Sequence, residues 1–214
     1  MNDEVLAVAQ DLLRKGLVEG TSGNVSARLD DGTVCITASS VPYETMTLDD
    51  LVVIDMDDNV VSGERYPSSE RALHLAIYRA FPEIQSVIHA HPIHATMFAV
   101  ARQPIPAVID EFAIYVGGDV PVCDYAQSGT PQVGDVAVAQ LKNVGAALLA
   151  NHGMVAIGTD PRKALQITAL VERSARIVWG ARLLGELSRV PDEVNTNFAG
   201  LYTWVRNNPP SSAA

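Results

Sequence analysis

The dipeptide Asp31-Gly32 does most to limit how this chain can fold. It stands between two short runs, Asn24 to Leu29 and Thr33 to Thr37, and Asp-Gly readily supplies the backbone of a tight hairpin turn. The two runs therefore read as neighbouring antiparallel strands. Further strands are expected at Leu51 to Met56, Ser86 to Ala90, Ala146 to Ala150 and Met154 to Ile157, with short ones near Ile105 to Ile109 and Val120 to Cys123. Helices are expected over residues 3 to 18, from Ser68-Ser69 to about Ala80, from Ile93 to Ala101, from Val133 to Leu141 and from Pro161 to about Glu186. Hairpins mixed with single helices do not give the regular alternation of a doubly wound parallel sheet. The expected fold is α/β, a three-layer α/β/α domain with a mainly antiparallel central sheet.

A chain of 214 residues with 48% hydrophobic and 19% charged residues suits one sizeable domain. Residues 1–206 are expected to form it, and 207–214 read as a loose tail. Acidic residues outnumber basic ones 25 to 15, and the net charge of −10 argues against nucleic-acid binding, because it would repel a phosphate backbone. Cys35 and Cys123 have neither C-x-x-C spacing nor a disulfide-rich setting and read as buried thiols. The opening Met1 to Gly16 is charged and helix-periodic, without the apolar stretch of a signal peptide, and no run suggests a membrane span. A cytoplasmic location is the expectation.

The chemistry concentrates in the histidines. His89 and His91 stand one residue apart at the end of an expected strand, where the two-residue period points both rings to one face. His152 follows another apolar strand and precedes Gly153, so it too sits at a strand end. Adjacent strand ends would gather three imidazoles, a common set for a catalytic zinc that keeps a position open for substrate. Buried, hydrogen-bonded histidines are the competing reading of the same residues. His74 and His94 fall inside expected helices. His74 is four residues after Glu70, a spacing that would let it orient that carboxylate.

Four segments, "GLVEGTSGNVSAR", "ITASSVPYETMTLDDLVVID", "PSSERALHLAIYRAFPEIQSVIHAHPIHATMFAV" and "LLANHGMVAIG", resemble in content and order the class II aldolase and adducin head-domain family, L-fuculose-1-phosphate aldolases above all. The resemblance covers about Leu6 to Arg182. It implies a zinc or similar divalent ion, one per subunit, on His89, His91 and His152. It also makes Glu70 of the "SSE" motif the acid/base, able to touch the metal in the empty site. For the substrate phosphate it implies a pocket from Gly23-Asn24, Ser39-Ser40 and Ser68-Ser69, and for the protein a homotetramer with active sites between subunits. Ile167, Leu170, Ile177 and Val178 of the long helix offer an apolar surface for such assembly, with core packing as their other reading.

The reaction so implied is reversible cleavage of a ketose 1-phosphate into dihydroxyacetone phosphate and an aldehyde through a metal-stabilised enediolate. Three other chemistries share the metal platform: ribulose-phosphate 4-epimerisation, decarboxylation of a 3-oxo acid phosphate and dehydration of methylthioribulose phosphate. A non-enzymatic, adducin-like assembly module is a further alternative, disfavoured by the retained histidines and Glu70. Related 4-epimerases carry aspartate in an "SSD" motif, so Glu70 favours an aldolase. Two departures stand out. Ser39-Ser40 occupies the place of a Thr-Gly pair, and the tyrosine that such aldolases use as a proton donor falls on Asp110 or Glu111, with Tyr115 as the third candidate.

Overall fold

A computed structural model describes residues 1–208 of the chain. Seven strands form one sheet in the order β4-β3-β2-β1-β5-β7-β6: β1 (Asn24–Arg28), β2 (Val34–Thr37), β3 (Leu51–Ile54), β4 (Val60–Ser62), β5 (Ser86–Ala90), β6 (Ala146–Leu149) and β7 (Gly153–Gly158). Every pairing between neighbours is antiparallel. The helices are α1 (Asn2–Arg14), α2 (Arg71–Ala80), α3 (Ile93–Ala101), α4 (Asp110–Val116), α5 (Pro131–Gln140), α6 (Pro161–Leu184) and α7 (Asp192–Asn207).

Burial on both faces of the sheet makes three layers. On one face, Leu73 and Ile77 of α2 and Val133 and Ala137 of α5 pack with Ile36, Val87 and Val155. On the other, α1 buries Val5, Val8 and Leu12 against Val25 and Ile88, while α3, α4, α6 and α7 close over Leu148, Met154 and Ala156. The inner strands β1, β2, β5 and β7 and the edge strand β6 are almost wholly buried, which explains why most of them read as apolar runs.

Some expectations need correction. The segments near Ile105 to Ile109 and Val120 to Cys123 are not regular strands and make only isolated bridges, Ile105 with Val120 and Val122 with Leu148. Pro104, Pro106 and Pro121 lie in them, and proline has no N–H to give a ladder. The N-cap of α2 is Glu70, with Ser68 two residues outside it and its Oγ accepting from the Glu70 N–H at 3.2 Å. Helices α4 and α7 replace what reads in sequence as connection. Asn207 closes α7 where the tail was expected to begin, and residues 209–214 of that tail lie outside the described residues. Ile167, Leu170 and Val178 of α6 are buried in the chain's own core, whereas Ile177 is 40% exposed.

Candidate metal and anion site

Antiparallel pairing brings distant parts of the sequence to one end of the sheet. There β2 and β5 finish, β1, β3 and β7 begin, and Asn24 stands opposite His89 in the register. His89 is the last residue but one of the wholly buried β5, and His91 is the first residue past the strand. His152 occupies the three-residue turn between β6 and β7, a turn that Asn151 enters with φ 56°. Ring centroids of His89 lie 4.6 Å from those of both His91 and His152, and the last two are 5.0 Å apart.

The ligand nitrogens of His89, His91 and His152 all fall within 4.8 Å of one another, an arrangement able to hold a metal ion. Their chemistry fits that use. Nδ1 of His89 lies 2.9 Å from the Met154 carbonyl and can only donate to it, so the ring's Nε2 carries the free lone pair. Desolvation pushes the His89 pKa well below the ordinary histidine value, with the neighbouring imidazoles acting in the same direction. His91 is lowered to about 4, chiefly by burial and then by His152. Neutral imidazole is the form that binds metal.

Two glycines make this packing possible. A Cβ on Gly153 would lie 2.5 Å from the Ala90 carbonyl oxygen and from Cδ2 of His91, so only hydrogen lets the His91 ring lie against the start of β7. Gly23 has φ +79°, and a Cβ there would come within 2.8 Å of the His89 carbonyl oxygen. The Gly23-Asn24 corner thereby meets the backbone of the first histidine.

The other phosphate candidates reach the same end through backbone bonds. Ser68 N–H donates to the Thr37 carbonyl at 3.2 Å, Ser39 N–H to the Tyr66 carbonyl at 2.9 Å, and Ala38 bridges Pro67. Ser40 adopts φ 62°. The left-handed conformation that suits glycine is thus retained with a serine in it, at a cost of roughly 1 kcal/mol. Among the described residues the N–H groups of Ser40 and Ser69 have no protein acceptor.

Glu70 is 8% exposed and lies outside the group of ligand atoms formed by the three histidines. One of its oxygens accepts a hydrogen bond from the Ser128 hydroxyl, and the other, Oε2, is buried with no partner. Ser128 escapes sequence reasoning, because nothing in the polar run "DYAQSGT" marks one hydroxyl above the rest. His74 does not orient Glu70. Its Nε2 lies 2.5 Å from Asn24 Oδ1 and its Nδ1 2.6 Å from Ser26 Oγ. His94 also points away from the three histidines, toward Glu172, which accepts from its Nδ1 at 2.7 Å and from the N–H groups of His94 and Ala95 at 3.0 and 2.9 Å. The Glu172 carboxylate so caps the helix that begins directly after His91.

Neither Asp110 nor Glu111 joins the ligand group of the three histidines, and Tyr115 lies away from it within one chain. Tyr115 lines a cavity of about 420 Å³ together with Gly158, Lys163 and Tyr202, whereas Met154, beside the histidines, is at the other end of β7. Glu111 pairs with Arg173 on the surface, and Asp110 is exposed in the first turn of α4.

A seven-stranded antiparallel sheet between helices, with three imidazoles gathered at its strand ends, defines a mixed α/β protein with a site able to hold a metal. The model of the class II aldolase and adducin N-terminal domain family matches residues 3–179, and the chain belongs to that family. It is 39% identical over 195 residues to the L-ribulose-5-phosphate 4-epimerase UlaF of Salmonella paratyphi B, covering 85% of each chain. To the L-fuculose phosphate aldolase of Escherichia coli O157:H7 it is 35% identical over 174 residues, covering 81% of this chain and 80% of the relative. A solved L-fuculose 1-phosphate aldolase superposes with a TM-score of 0.89 at 36% identity, over 93% of this chain and 94% of the other.

Proposed function

We propose that the protein is a cytoplasmic, zinc-dependent aldolase that reversibly cleaves a ketose 1-phosphate into dihydroxyacetone phosphate and an aldehyde. The observation that carries this reading is the unpartnered, buried Oε2 of Glu70 at the same end of the sheet as three clustered imidazoles. A divalent ion on His89, His91 and His152 would supply a Lewis acid to offset negative charge developing on the substrate oxygens.

The chain's own residues account for the remaining requirements. Ser128 holds one oxygen of Glu70 and leaves Oε2 as the acid/base that exchanges a proton with substrate carbon. Free N–H groups at Ser40 and Ser69, with Asn24 at the same end of the sheet, suit a phosphate. Gly23, Ser39 and Ser68 shape that pocket through their backbone.

Exposed Ile93, Met97 and Val100 line one side of α3, whose N-terminus follows His91. This apolar stripe supports burial against another subunit close to the site, in keeping with a homotetramer. A neighbouring subunit would then supply the donor, Tyr115, Glu111 or Asp110.

A second reading, 4-epimerisation of a ribulose phosphate, is favoured by the 39% identity to UlaF. The glutamate at position 70 favours the aldolase. Incubation with L-fuculose 1-phosphate and L-ribulose 5-phosphate decides between them: release of dihydroxyacetone phosphate from the first is expected, and epimerised pentose phosphate without cleavage would overturn the proposal. Glu70→Gln is expected to keep its metal and lose C–H exchange on dihydroxyacetone phosphate by about 10³-fold.

A further inference from the structure

His74 has no part in the reaction just described, yet it is 0% exposed and has a polar atom against each ring nitrogen. Ser26 Oγ, 2.6 Å from Nδ1, is also 2.7 Å from the Tyr78 hydroxyl. Burial lowers the His74 pKa to about 3, so at neutral pH the ring carries one proton for two contacts. Burial likewise keeps the Tyr78 hydroxyl protonated by raising its pKa.

The contacts choose where the imidazole proton sits. With the proton on Nε2, His74 donates to Asn24 Oδ1, Nδ1 accepts from the Ser26 hydroxyl, and Ser26 Oγ accepts from Tyr78. Each hydrogen is then used once. With the proton on Nδ1, the Nε2 lone pair would face the Asn24 oxygen at 2.5 Å, two acceptors without a hydrogen between them.

The choice matters because Asn24 begins β1 opposite His89, beside the Gly23 corner. Its oxygen is engaged by His74, while its NH2 has no protein partner among the described residues. Reversal of the chain, with the amide turned over, would present an oxygen where an anion is to bind.

We infer that His74 is a positioning residue, whose Nε2–H tautomer, fixed by Ser26 and Tyr78, holds the Asn24 oxygen and leaves the Asn24 NH2 as a donor to the substrate phosphate. The inference rests on the anion pocket proposed above and deepens it. It also accounts for a histidine buried at the cost of its charge, since no other side chain of similar size offers an aromatic wall with a donor and an acceptor on opposite edges.

Two measurements test it on the full-length, metal-loaded protein. Long-range 1H–15N correlation with labelled histidine, assigned by comparison with His74→Phe, should show His74 protonated on Nε2 alone from pH 8 to pH 5. Protonation on Nδ1, or on both nitrogens, overturns the inference whatever the variants do. Calorimetric titration with inorganic phosphate should show affinity reduced about tenfold in both His74→Phe and Asn24→Ala, with no further loss in the double variant. His74→Gln, which can still donate to Asn24, should recover part of the affinity, and zinc content should match wild type throughout. Weakened binding in Asn24→Ala with unchanged binding in His74→Phe sinks this inference and spares the pocket. Unchanged binding in both removes the pocket as well.

Discussion

At one end of the sheet, polar side chains stand in close contact with little to spare for stability: three imidazoles within 4.8 Å, a carboxylate oxygen without a partner and a serine at φ 62°. At the opposite end the groups around Arg206 are satisfied, although Arg28 Nε, where β1 finishes, is buried without a partner among the described residues. There Arg206 of α7, 5% exposed, donates to Glu83 at 2.9 Å and to the Leu141 carbonyl at 2.8 Å, and its guanidinium lies 4.7 Å from the centre of the Phe81 ring. Both ends have buried charge-capable groups, but around Arg206 the carboxylate and carbonyl acceptors are matched to donors. Unmatched groups cost stability and leave bonding capacity for a ligand, so the difference teaches where this fold keeps its chemistry.

The sharpest way to break that comparison is to exchange the roles of the ends. His152→Ala should lower cleavage by at least about 10³-fold, equal to about 4 kcal/mol of transition-state stabilisation, and shift metal-free unfolding by less than about 1 kcal/mol. A large fall in metal-free stability with activity retained would mean that the histidines serve packing. Arg206→Met should do the reverse, costing about 2–3 kcal/mol in denaturant unfolding because Glu83 and a buried carbonyl lose their donor, with kcat per folded molecule unchanged. An Arg206→Met protein as stable as the parent would show that the second end is not the anchor. The smallest effect is expected at Ser40→Gly, which should raise stability by about 0.5–1 kcal/mol by relieving the left-handed serine. Lower stability there would show that the Ser40 hydroxyl contributes more than its backbone costs.

Much of this was legible along the chain. Asp31-Gly32 and the apolar runs around it gave an antiparallel sheet because turn chemistry and a period of two act over a few residues. His89 and His91 were legible as a pair for the same reason, since alternation along one strand fixes the side they face. Proline misled in one respect: the runs at Ile105 and Val120 have strand composition, but Pro104, Pro106 and Pro121 remove the N–H groups a ladder needs. The i, i+4 spacing of Glu70 and His74 misled in another, because a helical neighbour is an available partner only until a strand brings a better one. Asn24 and Ser26 are that better partner, 50 and 48 residues away in sequence.

By itself, the sequence determined most of the elements, the antiparallel character of the sheet and the residue types able to bind a metal and an anion. Those follow from local backbone preferences and from side-chain chemistry, which each segment carries with it. Tertiary structure alone decided which of the five histidines meet: His89, His91 and His152 share one cluster, His74 serves Asn24 and His94 faces Glu172. It also decided that Ser128 reaches Glu70 and that Tyr115 stays at the far end of β7. The physical reason is that hydrogen bonds and lone pairs act over about 3 Å, and only strand register and packing bring residues so distant in sequence within that range.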